Sequence, residues 1–422
     1  MGMSEQDRRQ ASSLQRPPTS DSEAWEVYWE AQGQSWRSQP EIDGERQKHL
    51  TERRSIKPDI EQGIYPFKAI KLNRADIEWL LATHENGRGP VDWKDESQRE
   101  RKGLDLRGTD LSQADLSGLP LTCMLGGLKV NEPATDEQRN MAAVRLEKAH
   151  LYATHLQRAN LCWAHLQEAH LSWAQLQEAY LRWAQLQGAH LYGAQLQGAN
   201  LRETRLQGAS LSRAELDGVH LNEATLSDEK YGPARLADVR WGEVNLAVVN
   251  WTPVKMLGEE HRAHLSKAVD DYRVAVRANR QLAVILRDQG LNEEADRFAY
   301  RGQVLQRQVW RRQHRYLKYL GSWFLWLLAG HGYRPLRSVL WYLVIILGFA
   351  LAYYTFGHLS LWPPDAFVYS LTSFHGRGFF PGLEGKHSLH DPLIMLAAFE
   401  AVIGLFIEIS FIATFTQRFF GR

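Results

Sequence analysis

Two carboxylates, Glu400 and Glu408, stand inside the otherwise uncharged stretch Leu393–Phe415. A stretch of this length is enough to cross the hydrocarbon core of a bilayer, which takes about 20 residues. A carboxylate at that depth costs on the order of 2.5 kcal/mol or more, so it turns towards a protein interior or a wet cavity rather than lipid. Glu400, Gly404 and Glu408 follow one another at four-residue steps and share one helical face. Such a face either lines a polar path or braces polar groups beside it. Just upstream runs Ser373-Phe374-His375-Gly376-Arg377-Gly378-Phe379, and Glu384 and His387 lie close behind it.

These residues need elements to hold them. Ser338–Gly357 is a first uncharged stretch long enough to span, and Leu393–Phe415 is a second. Between them Asp365–Ser373 predicts a short helix after Pro363-Pro364. From about 336 to 422 this order, span, short helix, glycine-alternating strand and span, resembles the two-transmembrane pore module of potassium channels. The family filter Thr-Val-Gly-Tyr-Gly aligns with Phe374-His375-Gly376-Arg377-Gly378. Gly376 and Gly378 match, and Gly404 sits where the family often has a hinge glycine. Alternating glycines permit the backbone angles that aim filter carbonyls at an axis.

The resemblance implies a filter or pore segment at Ser373, Phe374, His375, Gly376, Arg377, Gly378 and Phe379, a re-entrant pore helix, and Glu400, Gly404, Glu408 and Glu384 as lining or filter-supporting residues. It also implies self-association, by analogy a homotetramer. Phe374 replaces the threonine whose hydroxyl serves the cation site, and Arg377 replaces the tyrosine that braces the filter. These departures argue against potassium selectivity and leave the permeant ion open. Arg377 has two homes open to it: behind the filter, paired with Glu400 or Glu384, or on the axis, where a ring of arginines would repel cations.

Arg301, Arg307, Arg311, Arg312, Arg315 and Lys318 precede the spans, and no acidic residue appears from there to Asp365. Such a cluster fits the anionic cytoplasmic leaflet. Arg418 and Arg422 follow the second span, so both termini are expected in the cytoplasm of a multi-pass protein of the cell membrane. Residues 316–333, with Tyr319, Trp323, Trp326 and Leu327, predict an interfacial helix too short to span. Residues 260–315 predict a helical hairpin: one helix from His261 carries Leu265, Val269, Tyr272, Val276, Ala283 and Leu286, and Gly290 with Asn292 stops and restarts it.

Further upstream a leucine recurs every five residues from Leu146 to Leu226, and the series continues through Tyr231, Leu236, Trp241, Leu246 and Trp251. A small residue such as Ala159, Ala164, Ala169 or Thr154 precedes each leucine by two. Only a backbone that turns a corner every five residues sends both positions inward each time. Ala159-Asn160-Leu161, Ala199-Asn200-Leu201 and Ala114-Asp115-Leu116 resemble the pentapeptide-repeat family, which implies a right-handed quadrilateral β-helix. Four units make a coil of about 20 residues, stacked about 4.8 Å apart. Leu106, Leu111, Leu116 and Leu121 form a first coil, and Thr122–Ala143 reads as an inserted loop. His150, His170 and His190 then fall in one outward column, as a solvated ladder or a metal or pH-sensing site. Trp163, Trp173 and Trp183 face outward, either as a contact surface or, for Trp163 and Trp183, which fall 20 residues apart in one column, as a pair stacked within the ladder.

Between Arg145 and Trp251 eleven acidic residues meet ten basic ones, so mimicry of DNA by this solenoid is excluded. The whole chain is equally balanced, 50 basic against 49 acidic residues, which argues against a nucleic-acid partner. Cys123 and Cys162 are its two cysteines, consistent with a reducing compartment. No P-loop, nucleophile elbow, HExxH or paired-Cys motif occurs, and neither an enzyme, a cofactor nor a metal is expected. The expected architecture is a multidomain β + α membrane protein: a disordered tail at 1–22, a cap region at 23–103, the β-helix at 104–252 with its inserted loop about 122–143, a cytoplasmic hairpin at 260–315, an interfacial helix at 316–333, and a pore module at 336–422. The expected function is an oligomeric ion channel in the bilayer, with a cytoplasmic solenoid that senses an unknown ligand or protein or drives assembly. The alternative is a non-conducting, membrane-anchored interaction scaffold.

Overall fold

A computed structural model describes residues 16–17, 21–98, 100–330, 335–356, 363–376 and 392–419. The chain divides into two units, Met1–Lys267 with Arg277–Ala295, and Ala268–Val276 with Asp296–Arg422.

In the first unit the five-residue period becomes a β-helix. Arg145 pairs in parallel with His165, His165 with Gln185 and Gln185 with Arg205, and the same 20-residue step repeats from His150, His155 and Asn160. There are thus four columns of bridges, one for each repeat unit of a coil. Each corner is a tight turn: the Ala159 N–H donates to the Leu156 carbonyl at 3.1 Å. The residue two after each leucine takes a left-handed conformation, as at Ala153 (φ 52), Trp163 (φ 65) and Trp173 (φ 61). That conformation costs a non-glycine residue roughly 1–2 kcal/mol, and it accounts for Gly188, Gly193, Gly198, Gly208 and Gly218 at the same corner. Inside, Leu156, Ala159, Ala164 and Leu166 are fully buried, and Leu161 through Leu201 are at most 1% exposed. Alternating large and small side chains fill the bore at close packing.

Two insertions depart from the expected register. Asp110 pairs with Arg145, 35 positions on rather than 20, while Leu125 still pairs with Asp105. Thr122–Leu125 therefore belongs to the ladder, and the insertion starts after it. Thr109, Leu119 and Met124 line the first coil's interior beside its leucines. The second insertion separates Ser210 from Arg235 by 25 positions. One whole five-residue unit is pushed out as a hairpin of β1 (Ser227–Asp228) and β2 (Gly232–Pro233), and Tyr231 sits in its turn, half-buried, not on the leucine column.

Both ends of the solenoid are closed. At the N-terminal end α1 (Ser22–Ala31), α2 (Gly44–Arg54) and α3 (Arg74–Ala82) surround two buried carboxylates. Glu78 accepts from the Ser38 and Gln39 amides and from Arg74 Nε at 2.8 Å, and Asp76 is bound by Arg46. Arg74 also donates to the Ser117 carbonyl at 2.9 Å, which fastens the cap to the first coil. The insertion holds α4 (Asp136–Ala142), opened by a capping box between Thr135 and Gln138. At the far end Trp241, Leu246, Trp251 and Leu257 cover the last coil. The buried Glu259 carboxyl, on α5 (Gly258–Ser266), accepts from the Ala237 amide, and burial pushes its pKa upward.

The single helix expected from His261 to Gly290 is two. α5 ends at Lys267, which is left-handed (φ 57), and α6 runs from Val269 to Asp288. Leu265 is consequently 71% exposed, not core. Gly290 (φ 79) does end α6, and α7 covers Asn292–Arg312. In the first unit Arg277 grips Asp238 through two donors at 2.7 and 2.9 Å.

The second unit contains α8 (Tyr316–Ala329), α9 (Pro335–Phe356), α10 (Pro363–Phe374) and α11 (Pro392–Phe419). Gly330, left-handed, ends α8. The first turns of α9 cover the carbonyls left open there: Ser338 Oγ donates to Leu328 O at 3.2 Å and Trp341 Nε1 to Leu327 O at 3.0 Å. Leu336–Thr355 and Leu393–Ile412 are long and apolar enough to cross a membrane, and only 22% of each is buried within the chain.

Candidate functional site

The helices α9, α10 and α11 pack against one another in pairs, so the short α10 lies against both long helices. Near its start Ala366 and Tyr369 pack with Tyr353 of α9 and Ala397 of α11. Near its end Phe374 packs with Ile346 of α9 and Ile407 of α11. The contacts move from residue 353 down to 346 on α9 and from 397 up to 407 on α11. At 1.5 Å per residue α10 therefore runs alongside both helices for on the order of 10–15 Å.

The face of α11 identified from its spacing is the one turned to α10. Glu400 is fully buried; its Oε1 accepts from Ser370 Oγ at 2.5 Å and its Oε2 from Tyr353 OH at 2.7 Å. Ser370 Oγ is also 2.9 Å from the Ile346 carbonyl, so one hydroxyl ties α10 to both neighbours. One turn on, Gly404 meets the Phe374 carbonyl so closely that a Cβ there would overlap it. Another turn on, Glu408 bonds to His375 Nδ1, and His375 Nε2 is 3.1 Å from Tyr342 OH. Three successive turns of α11 thus carry a buried carboxylate, a close backbone contact and a half-exposed carboxylate.

The expected filter segment divides at this point. Ser373 and Phe374 are the last residues of α10, not an extended strand, and the Phe374 ring is 1% exposed within the helix packing. Phe374 thus serves as core within this chain. His375 and Gly376 follow in a turn and are exposed, with Gly376 left-handed (φ 67). Arg377, Gly378, Phe379 and Glu384 lie outside the described residues, as does His387. Tyr353, Ser370 and Tyr342 were missed by sequence reasoning. The signal for Ser370 was present, since helical spacing from Ala366 puts it on the buried side of α10.

In the solenoid, the outward-facing tryptophans are not equivalent. Trp163 and Trp183 are half-buried and tilt against each other at 5.4 Å. Arg182 lies 3.9 Å above the Trp183 ring, and Glu203 accepts from both Arg182 and the Trp183 indole N–H, each at 2.6 Å. Trp173 is the exposed one, at 47%, with its ring laid on Gly193 of the next coil. Of the three, Trp173 is the most exposed, while Trp163 and Trp183 pack against each other within the ladder. His150, His170 and His190 do form a column, with ring centroids 4.9 and 4.8 Å apart and rings nearly parallel. Burial, and then the neighbouring His170, holds the His190 imidazole below its ordinary pKa. No group of three or more His, Cys, Asp or Glu suited to a metal occurs among the described residues.

The family description "Pentapeptide repeats" matches residues 154–193 and 189–228. No curated protein matches the chain. Solved structures similar to it include the pentapeptide repeat protein Rfr23 from the cyanobacterium Cyanothece 51142, at 29% identity over 31% of this chain and 90% of that one, with a TM-score of 0.17. A pentapeptide repeat protein from the Arabidopsis thaliana thylakoid lumen is 24% identical over 26% of this chain and 71% of its own, with a TM-score of 0.15. HetL, a pentapeptide repeat protein from the cyanobacterium Nostoc sp. strain PCC 7120, is 20% identical over 41% of this chain and all of its own, with a TM-score of 0.11. Residues 154–228 are thus pentapeptide repeats wound into a β-helix, in a chain that also carries two helices long and apolar enough to cross a membrane.

Proposed function

We propose that the chain is the subunit of an oligomeric ion channel, with α9 and α11 as its spans, α10 as a re-entrant pore helix, and the solenoid as a cytoplasmic sensing or assembly domain. The observation that carries this reading is the buried Glu400, which ties α10 to α9 through Tyr353 and Ser370. A membrane anchor has no use for a carboxylate buried in its packing, whereas a short helix held at span depth needs polar anchors to stay there. Apolar side chains on the outer faces support association in a bilayer: Leu343, Leu347 and Leu351 on α9, and Phe399, Phe406 and Ile409 on α11 are all at least half exposed. Two spans enclose no pore alone, so the channel requires several copies, four by analogy with the pore family. The juxtamembrane arginines support an orientation with both termini in the cytoplasm.

The test is ion flux in liposomes containing the purified chain. We expect flux above that of empty vesicles, changed in selectivity by His375→Ala and abolished by Glu400→Leu. A tight bilayer under every ionic condition, or a monomer in mild detergent, overturns the channel and leaves the membrane-anchored scaffold. The exposed Trp173 favours that second reading as a contact point for a protein partner.

A further inference from the structure

The first insertion does more than lengthen the solenoid. Together with the end of the N-terminal cap it encloses, over the first coils, a cleft of about 540 Å3. That volume falls within the range of about 300–1,000 Å3 typical of small-molecule sites. Its walls are fixed to the ladder by backbone. A Cβ on Gly103 would collide with the Cys123–Met124 peptide, and one on Gly127 with the Cys162 carbonyl. Asn160, buried on the floor, donates from Nδ2 to the Gly127 carbonyl at 2.8 Å and accepts from the Cys162 amide at 3.2 Å.

The lining is mostly cationic: Arg101, Lys102, Lys129 and Arg158 surround a single carboxylate, Glu100. Arg101 is held in place by Glu85 at 2.7 Å and by the Gly89 carbonyl at 2.7 Å, and Arg158 lies 3.6 Å from Glu178. The exposed Lys102 and Lys129 stand at the mouth. Burial pushes the Cys162 thiol up to about 11, so it is neutral at physiological pH and adds no negative charge to the floor. Beside the cations Tyr180 keeps 48% of its surface exposed, enough to offer a ring face for stacking. Guanidinium and ammonium groups together suit phosphate oxygens, and an aromatic face suits a planar heterocycle.

We infer that this cleft binds a phosphate-bearing small molecule of mononucleotide size, with the phosphate taken by the basic rim and the ring by Tyr180. The inference goes beyond the channel reading and does not depend on it, since the cleft lies wholly within the first unit. The test is calorimetric titration of the full chain in detergent with AMP, adenosine and inorganic phosphate. We expect saturable AMP binding, at least about tenfold weaker binding of adenosine and of phosphate, and a loss of about tenfold in AMP affinity in both Lys102→Glu/Lys129→Glu and Tyr180→Ala. Absence of saturable AMP binding, adenosine binding as tight as AMP, or an unchanged Kd in the lysine variant overturns it. Should the double variant melt early, Lys129→Ala, at an exposed loop residue, gives the same discrimination: an unchanged Kd again overturns the site. Flux in liposomes plays no part in the readout, so failure of the channel reading and failure of this one are distinguishable.

Discussion

Between Leu146 and Leu226 the solenoid stacks leucine over leucine and alanine over alanine, whereas the packing of α9, α10 and α11 closes around one buried carboxylate, Glu400. In the first region each coil meets the same surroundings as the coil before it, and stability is approximately a sum over coils and their interfaces. In the second no group is repeated, and a few polar contacts decide how α10 lies. The solenoid fills its bore with leucine and alanine, turns the few inward hydroxyls such as those of Thr154 and Thr204 onto backbone carbonyls, and pairs its backbone between coils. The apolar helices have already satisfied their backbone internally, so side-chain hydroxyls and one carboxylate are left to specify position. Repetition confers tolerance; uniqueness confers a defined site.

The largest expected effect tests the dry bore. Leu186 is 1% exposed in the middle of its column. Leu186→Asp puts an unpaired carboxylate there and should cost about 4 kcal/mol or more. Thermal unfolding followed by circular dichroism should lose the solenoid transition, and a shift no larger than that of a surface change would contradict a continuous apolar interior.

Next comes the carboxylate. Glu400→Leu removes both hydrogen bonds to the carboxylate, orphaning the Tyr353 hydroxyl and leaving Ser370 its bond to the Ile346 carbonyl, at about 2–4 kcal/mol in all. Adding Tyr353→Phe and Ser370→Ala should recover most of that loss, because replacing a whole buried polar group is often near neutral. If the triple variant is no more stable in detergent than Glu400→Leu, the three groups do not act as one network.

Gly404→Ala should follow at about 1–3 kcal/mol, since its Cβ meets the Phe374 carbonyl and forces α10 and α11 apart. The equal change in the solenoid, Gly218→Ala, meets no side chain closer than ordinary contact and pays only for its left-handed backbone (φ 66). Equal melting shifts for the two would remove the contrast between close approach and backbone strain.

The smallest effect is a pH dependence confined to the solenoid. Burial holds the imidazoles of His155, His165 and His190 below their ordinary pKa. The unfolded chain therefore takes up protons first, and stability falls as pH drops through about 6.5 towards the folded values. His155→Gln/His165→Gln/His190→Gln should flatten the melting temperature in that window. An unchanged slope would assign it elsewhere.

The repeat was legible because an interior that alternates Leu with Ala at a fixed offset has one geometric solution, and Ala159 and Leu161 fall where that solution puts them. The short helix before Phe374 was legible from Pro363-Pro364 and its apolar spacing. The hairpin around Tyr231 was not, because an insertion of one whole unit leaves the five-residue phase unchanged while shifting Arg235 by a full side of the coil. The break at Lys267 was hidden as well: no Gly or Pro marks it, and the apolar spacing continues across it. For Trp163 and Trp183 the spacing left two readings open, an outward surface or a stacked pair, and the ring of each folds over the neighbouring coil.

The amino-acid sequence by itself determined the coil, its four columns, the two apolar helices and the face shared by Glu400, Gly404 and Glu408, since all of these follow from spacing along one element. Only the tertiary structure decided what that face meets. Tyr353 and Ser370 reach Glu400 from 47 and 30 residues away, and Lys102 and Lys129 reach one cleft from a cap and an insertion. Contacts between separate elements depend on how the elements pack, and periodicity within an element carries no record of it.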